Sequence, residues 1–223
     1  MTGRPAGRSF ASLARELAAV GRRMYAHGWA YGTSGNCSAV ISARPLRLAI
    51  SASGVDKRTM RAAGVLQVDE RGNVLGARRG APSAETAVHL EIVRRRGAGA
   101  VLHSHSAWST MLSDVHARQG GVDIEGYEML KGLSGVTTHK HRERVTIVEN
   151  DQDAGRLARR VGDALAAGPG AHAVLVHRHG LYTWGATLAE AERHVETLEL
   201  LFETIGRTSA ARGEQQEDLS SAR

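Results

Sequence analysis

The stretch Ala100-Val101-Leu102-His103-Ser104-His105 decides how the chain is read. Three apolar residues in succession predict a short buried strand, and helical patterns stand on both sides of it. Ahead of it, 83–96 carries Leu90 and Val93 on one helical face, with Ser83 as a candidate cap; behind it, a helix fits 107–112. Further upstream, Ser9 can cap a helix whose Leu13, Leu17, Val20 and Met24 recur at helical spacing and which ends where Gly28 follows His27. Two β-type runs follow at 36–42 and 46–51, then 65–75 with Arg71-Gly72-Asn73 as a hairpin turn. Downstream, helices are predicted over 126–133 and 151–167, and strands over 145–148 and 173–176. A last helix opens on a capping box, Thr187 with Glu190, and turns Val195, Leu198, Phe202 and Ile205 inward. Strands and helices mix throughout, so the expected class is α/β with helices covering a central sheet. A single domain over 9–206 is expected, with loose segments at 1–8 and 207–223.

With 223 residues and 42% apolar content, the chain can close a core of ordinary size without repeats or disulfides. Cys37 is the single cysteine and has no internal partner; the first thirty residues mix Arg, Gly and Glu with apolar positions rather than forming a signal-type block. No run approaches the roughly 20 apolar residues of a membrane helix. These features predict a soluble, cytoplasmic protein with no membrane partner. The net charge of +6 is spread over scattered arginines, and aromatics make up only 4%, so neither a basic stripe nor a base-stacking platform is available and no nucleic-acid partner is expected.

His103 and His105 end the buried strand, and in extended backbone residues two apart face the same side, so their imidazoles can converge. Zinc takes neutral imidazole nitrogens at about 2.0–2.1 Å, and a catalytic site has three protein ligands with one position open. A third ligand is expected from His177-Arg178-His179-Gly180, which follows the apolar strand at 173–176. His177 and His179 share a face if the backbone stays extended, so spacing leaves the choice between them open. His-x-His by itself more often marks solvated or backbone-bonded histidines; two strand-terminal clusters together favour a metal. His27, His89, His116, His139, His141, His172 and His194 show no comparable arrangement and are read as structural or surface residues.

Seven blocks then carry a resemblance over nearly the whole folded chain. They are Thr33-Ser34-Gly35-Asn36, Ser51-Ala52-Ser53-Gly54 with Lys57, Pro82-Ser83-Ala84-Glu85-Thr86, His103-Ser104-His105-Ser106, Tyr127-Glu128-Met129-Leu130-Lys131-Gly132, Asn150-Asp151-Gln152-Asp153, and His179-Gly180-Leu181-Tyr182 with Trp184-Gly185. The chain resembles the class II aldolase and adducin-like family. The Glu-Met-Leu-Lys and His-Gly-Leu-Tyr blocks resemble the branch that dehydrates methylthioribulose 1-phosphate in methionine salvage. Cys37, where an aliphatic residue is usual, and Arg178, where a smaller one is commoner, depart from the pattern.

The resemblance implies a three-layer αβα fold with a mainly antiparallel sheet, one zinc per subunit on His103, His105 and His179, and a homotetramer with active sites near subunit contacts. It makes His177 a bystander. For a ketose phosphate substrate, Gly35, Asn36, Ser53 and Gly54 offer donors to the phosphate, as Gly- and Ser-rich turns do in anion nests; Ser83 near a helix N-terminus and Lys57 add to them. Each of these loops is otherwise ordinary turn chemistry. Glu128 is the expected acid/base and Glu85, in the Pro-Ser-x-Glu block, the second carboxylate. The rival readings are an aldolase cleaving the C3–C4 bond of another ketose phosphate and a non-catalytic adducin-like interaction domain.

Overall fold

A computed structural model describes the backbone over residues 9–221 and side chains as far as 212; residues 1–8 and 222–223, expected to be loose, lie outside the described residues. Helix α1 (Phe10–Ala26) starts where the Ser9 side chain accepts the Ser12 amide and ends at His27, with Gly28 at φ 79°. Its buried stripe of Leu13, Leu17, Val20 and Met24 lies on a nine-stranded sheet. The strands are β1 (Asn36–Ala43), β2 (Leu46–Ser51), β3 (Val65–Asp69), β4 (Val74–Leu75), β5 (Ala100–Ser104), β6 (Gly121–Glu125), β7 (Arg142–Val148), β8 (Ala173–Val176) and β9 (Gly180–Gly185). They lie in the order β4-β3-β2-β1-β5-β9-β8-β7-β6, and every neighbouring pair is antiparallel except β7 with β8. The remaining helices are α2 (Thr86–Arg96), α3 (Ala107–Val115), α4 (Ala154–Ala167) and α5 (Leu188–Ser221).

Two apolar cores separate the faces. One packs α1, α3 and α5 against the sheet through residues such as Leu17, Leu112, Leu198 and Phe202; the other packs α2 and α4 through Val88, Ile92, Leu157 and Val161. This is the three-layer αβα arrangement that the resemblance implied.

Strand direction sets where the chemistry falls. Asn36 pairs with His103, Ser104 with Leu181, and Val148 with Val176, so β1 and β9 begin, and β5, β7 and β8 finish, at one end of the sheet. Glu125 pairs with Arg142, so β6 delivers the chain to the opposite end. Across the seven residues of β7, at about 3.3 Å per residue, the two ends stand roughly 20 Å apart.

Four local expectations need correction. The helix predicted over 126–133 is a 3-10 turn over Glu128–Gly132, because Gly126 at φ 82° and extended Leu133 leave too few residues for an α-helix. β6 and β9 were not anticipated, since one alternates short apolar and acidic residues beside a glycine and the other mixes Tyr, Thr and Trp. Ser83 does not cap α2: Glu85 holds that position, two residues later. The polar segment expected to be loose from 207 continues α5 to Ser221, as its Ala, Arg, Glu and Gln content allows.

Candidate active site

The end of the sheet where β5 finishes gathers four side chains. His103 is fully buried, and its Nδ1–H donates to the Leu181 carbonyl on β9 at 2.9 Å. Its Nε2 therefore bears the lone pair, and this atom lies 2.8 Å from His105 Nε2 and 3.3 Å from His179 Nε2. Glu85 completes the group, 3.0 Å from His179 Nε2 and 3.4 Å from His103 Nε2. Ligand atoms of all four lie within 4.8 Å of one another.

Local sequence explains the convergence. Gly35 and Gly180 flank the end of β5: a Cβ on Gly180 would stand 2.0 Å from the Ser104 carbonyl, and one on Gly35, which has φ 66°, would stand 2.8 Å from the His103 carbonyl. Gly180 thus serves the close approach of β9 to β5 as well as the turn before it. The choice between His177 and His179 is settled by Arg178, whose φ of 52° breaks the extended backbone that spacing assumed. His179 turns inward, whereas His177 faces Asp114 and Glu149 at 3.1 and 3.3 Å. The Tyr182 ring stacks on His103, 3.9 Å between centroids with a 7° interplanar angle, and fixes the imidazole plane.

Three further residues hold the group: Asn36, expected on the phosphate, and His89 and Glu199, which spacing does not single out. Asn36 Nδ2 donates to Glu85 at 2.6 Å and to Ser83 Oγ at 3.0 Å, and Asn36 Oδ1 accepts from His89, a buried histidine of α2 whose other nitrogen meets Ser38 Oγ at 2.8 Å. His89 thereby sets which way the Asn36 amide faces. Burial pushes the His89 imidazole down to about 4, so it stays neutral and keeps one donor and one acceptor. On the other side, buried Glu199 of α5 accepts the hydroxyls of Ser104 and Ser106, the residues that alternate with the two histidines.

The donor set suits a cation. Burial lowers His103 to about 4; burial and the neighbouring imidazoles lower His105 to about 3, so both offer lone pairs at neutral pH. For Glu85, burial opposes ionisation, but His103, His179 and the Asn36 amide outweigh it and hold the carboxyl well below the usual range. Neutral nitrogens aimed at one another and at a carboxylate leave a concentration of lone pairs that a divalent ion, taking imidazole nitrogen and carboxylate oxygen, relieves.

A cavity of about 230 Å³ opens onto Glu85, His105 and His179, and the six residues predicted for phosphate all line it: Gly35, Asn36, Ser53, Gly54, Lys57 and Ser83. Their capacities differ from the expectation. The Asn36 amide is committed to Glu85, Ser83 and His89, and the Ser53 amide N–H to the Ala81 carbonyl, while the Ser83 hydroxyl accepts from Asn36 and from the Glu85 amide and so has only its own proton to offer the cavity. Buried Lys57 spends two donors on the Thr33 and Val55 carbonyls, at 3.3 and 3.0 Å, and retains a third. Cys37 lies under α1, and burial pushes its thiol up to about 11, which makes it an inert packing residue.

Glu128 does not join this group. It follows β6 at the opposite end of the sheet, 71% exposed, hydrogen-bonded to Lys131 and 3.7 Å from His139. The Lys131 contact holds its carboxyl below the usual range. Within one chain the carboxylate beside the histidines is Glu85.

Comparison with known proteins follows the same lines. Residues 15–205 match the family model described as the Class II Aldolase and Adducin N-terminal domain. The chain is 44% identical to the methylthioribulose-1-phosphate dehydratase of Methylococcus capsulatus, over 87% of this chain and 93% of that protein, and 39% identical to the same-named protein of Sorangium cellulosum, over 87% and 92%. Among solved structures it is similar to an L-fuculose 1-phosphate aldolase, with a TM-score of 0.74 and 22% identity over 89% of this chain and 87% of that one. The aldolase of that name from Thermus thermophilus superposes with a TM-score of 0.69 at 24% identity, covering 92% and 97%.

Proposed function

The chain belongs to the class II aldolase and adducin family, and from that premise we propose that it is a metal-dependent lyase that removes water from 5-methylthioribulose 1-phosphate, giving 5-methylthio-2,3-dioxopentyl phosphate in methionine salvage. The observation that carries the reading is the meeting of His103, His105, His179 and Glu85 at one mouth of a polar cavity. Identity of 39–44% over most of the chain with dehydratases, against 22–24% with aldolases, favours dehydration over carbon–carbon cleavage. An adducin-like scaffold has no use for four convergent donors supported by a second layer of hydrogen bonds.

His103, His105 and His179 would hold the metal, and three imidazoles with an open position favour zinc. A zinc ion there supplies a Lewis acid that polarises the C2 carbonyl and makes the C3 proton more acidic. The chain's own groups do the rest. Lys57, the Ser53 and Ser83 hydroxyls and the Gly35 and Gly54 turns receive the phosphate, with the Asn36 backbone on the same wall. Glu85, held by the Asn36 amide, takes the C3 proton. The C4 hydroxyl leaves as water once it is protonated, and the enol left behind tautomerises to the 2,3-diketone.

Glu85 can return the C3 proton to the C4 hydroxyl or a second acid can supply one, and Glu128 can do so only from another chain, given the roughly 20 Å of sheet between the two ends. We assign it that place: Glu128 of one subunit acts at the histidines of a neighbour in a homotetramer. Buried Leu130 anchors its turn, while Met129, Met111, Val115 and Leu200 expose apolar surface that subunit contacts would cover. A cytoplasmic location accords with a lone, buried cysteine; no helix among the described residues is long and apolar enough to cross a membrane. Incubation with methylthioribulose 1-phosphate tests the reading: a diketone phosphate is expected, and an aldehyde with dihydroxyacetone phosphate would replace it with the aldolase reading.

A further inference from the structure

At the sheet end remote from the catalytic histidines, a second His-Glu-His group is built into the α5 side of the fold. Glu143 of β7 is 2% exposed, and two imidazole nitrogens face its Oε2, each at 2.9 Å: Nε2 of His141 and Nδ1 of His172. His141 stands two residues before Glu143, just ahead of β7. His172 precedes β8, which runs parallel to β7 in the Thr146–Val174 register. The three donors therefore come from adjacent strand starts and meet over the same edge of the core.

The hydrogen bonds fix what each atom offers. His172 Nε2 lies 2.8 Å from the Ser134 carbonyl, which can only accept, so that nitrogen carries a ring proton; burial opposes a second proton, but Glu143 outweighs it and holds the imidazole above its usual range, so without an ion Nδ1–H donates to Glu143, and an ion would take the place of that proton. Glu143 Oε1 is occupied by the His172 amide N–H at 2.9 Å, which pins the carboxylate with Oε2 outward. Among the described residues, the ion-pair partners of this buried carboxylate are His141 and His172, with no arginine. Arg142 and Arg144, its neighbours on β7, are paired with Asp123 and Glu125. A buried carboxylate oxygen facing two imidazole nitrogens needs positive charge between them, supplied either by ring protons or by one divalent ion.

Coordination chemistry favours the ion. Two imidazole nitrogens and one carboxylate oxygen form a recognised zinc set, and a ligating histidine characteristically gives its other N–H to a backbone carbonyl. His172 does this with Ser134, as His103 does with Leu181 in the catalytic group. Tetrahedral bonds of about 2.0–2.1 Å place ligand atoms roughly 3.3 Å apart, so the 2.9 Å contacts need to open by only a few tenths of an ångström. His141, 31% exposed, leaves a route for the ion and a position for water.

We propose that His141, Glu143 and His172 form a second divalent-cation site of the zinc type, separate from the catalytic histidines, that ties the start of β7 to the start of β8 and to the turn at Ser134. The test is a zinc titration of the chelator-stripped, full-length protein against a chromophoric chelator. Two tight sites per chain are expected in the unaltered protein, one in His141→Ala, one in Glu143→Gln and one in His179→Ala, with circular dichroism confirming folding. Glu143→Gln or His172→Ala serves as the second variant if His141→Ala does not fold. Titration of the unaltered protein to one site, or a second site that persists in both His141→Ala and Glu143→Gln, would overturn the proposal. The His179→Ala arm reports on the catalytic group separately, so failure of either assignment is distinguishable from failure of the other.

Discussion

The two ends of the central sheet treat their ionisable groups differently. At the end where β5 finishes, every catalytic candidate is locked: His103 by a backbone carbonyl and a stacked tyrosine, Glu85 by Asn36 and behind it His89, and the His103–Ser106 segment by Glu199. At the other end, Glu128 sits on a short 3-10 turn, largely exposed and held by one surface lysine. Preorganisation of that first kind is what a site needs when charge must not reorganise during reaction. The contrast teaches that one chain carries a preorganised group of four donors and, at the far end, an exposed carboxylate with no such support; under the proposed function the second would acquire its surroundings only against another subunit.

Variants at each end sharpen this contrast. The largest effect is expected for His179→Ala, which removes a donor from the pocket: bound zinc at the catalytic group and dehydration should both fall to background, measured by metal content and product formation. A fully active, metal-loaded His179→Ala protein would dismiss the ligand assignment. Next come the two carboxylates. Glu85→Gln and Glu128→Gln should each retain catalytic zinc while turnover drops by about 10²–10⁴, the range for general acid/base groups. Undiminished turnover in Glu128→Gln would make Glu85 the sole acid/base and remove the need for the far end.

His89→Ala touches no substrate, so its expected cost is smaller, about 10–100-fold in kcat, as for other residues that orient a metal site's neighbours. Retained zinc with a lowered kcat and little change in KM would mark a positioning role, whereas an equal loss of all folded protein would mark packing alone. The smallest effect belongs to Glu199. Burial raises its carboxyl from the ordinary 4.5 to about 7, so between those pH values the folded chain holds a proton that the unfolded chain has released. Stability contributed by the protonated form is present below pH 4.5 and is lost as pH rises through 7. Glu199→Gln should therefore gain about 1–3 kcal/mol at pH 8 relative to its effect at pH 5, measured by denaturant unfolding; equal effects at both pH values would place the carboxyl back in the ordinary range.

Much of this was legible from residue order, and the limits have physical causes. α1 and α4 are legible from periodicity, α1 also from its Ser9 cap, because a helix closes its hydrogen bonds locally, and β1 and β2 as two β-type runs that pair with each other across a short turn. β6, an edge strand that pairs only with β7, has a weak alternation of short apolar and acidic residues, and β9, legible in its Gly180–Gly185 run only as a motif, mixes Tyr, Thr and Trp and lies between β8 and the distant β5. His103 and His105 were readable from a two-residue repeat, but the choice of His179 over His177 turned on one left-handed residue, Arg178, that spacing cannot show. The Asn36–Glu85 and Asn36–His89 contacts span 49 and 53 residues and follow no periodicity, so Asn36 was read as a phosphate donor rather than as the residue that holds Glu85. The His141–Glu143–His172 group follows no periodicity either, since His172 reaches its partner only through the parallel register of β7 and β8.

A mixing experiment tests most directly whether the two sheet ends meet across chains. Co-expression of His179→Ala and Glu128→Gln chains pairs an intact pocket from one with an intact acid from the other at some interfaces. Dehydration should return to about a quarter of the unaltered rate in randomly assembled closed oligomers, although each variant alone is inactive. Mixtures that confirmed mixed assembly yet stayed as inactive as the separate variants would contradict the account.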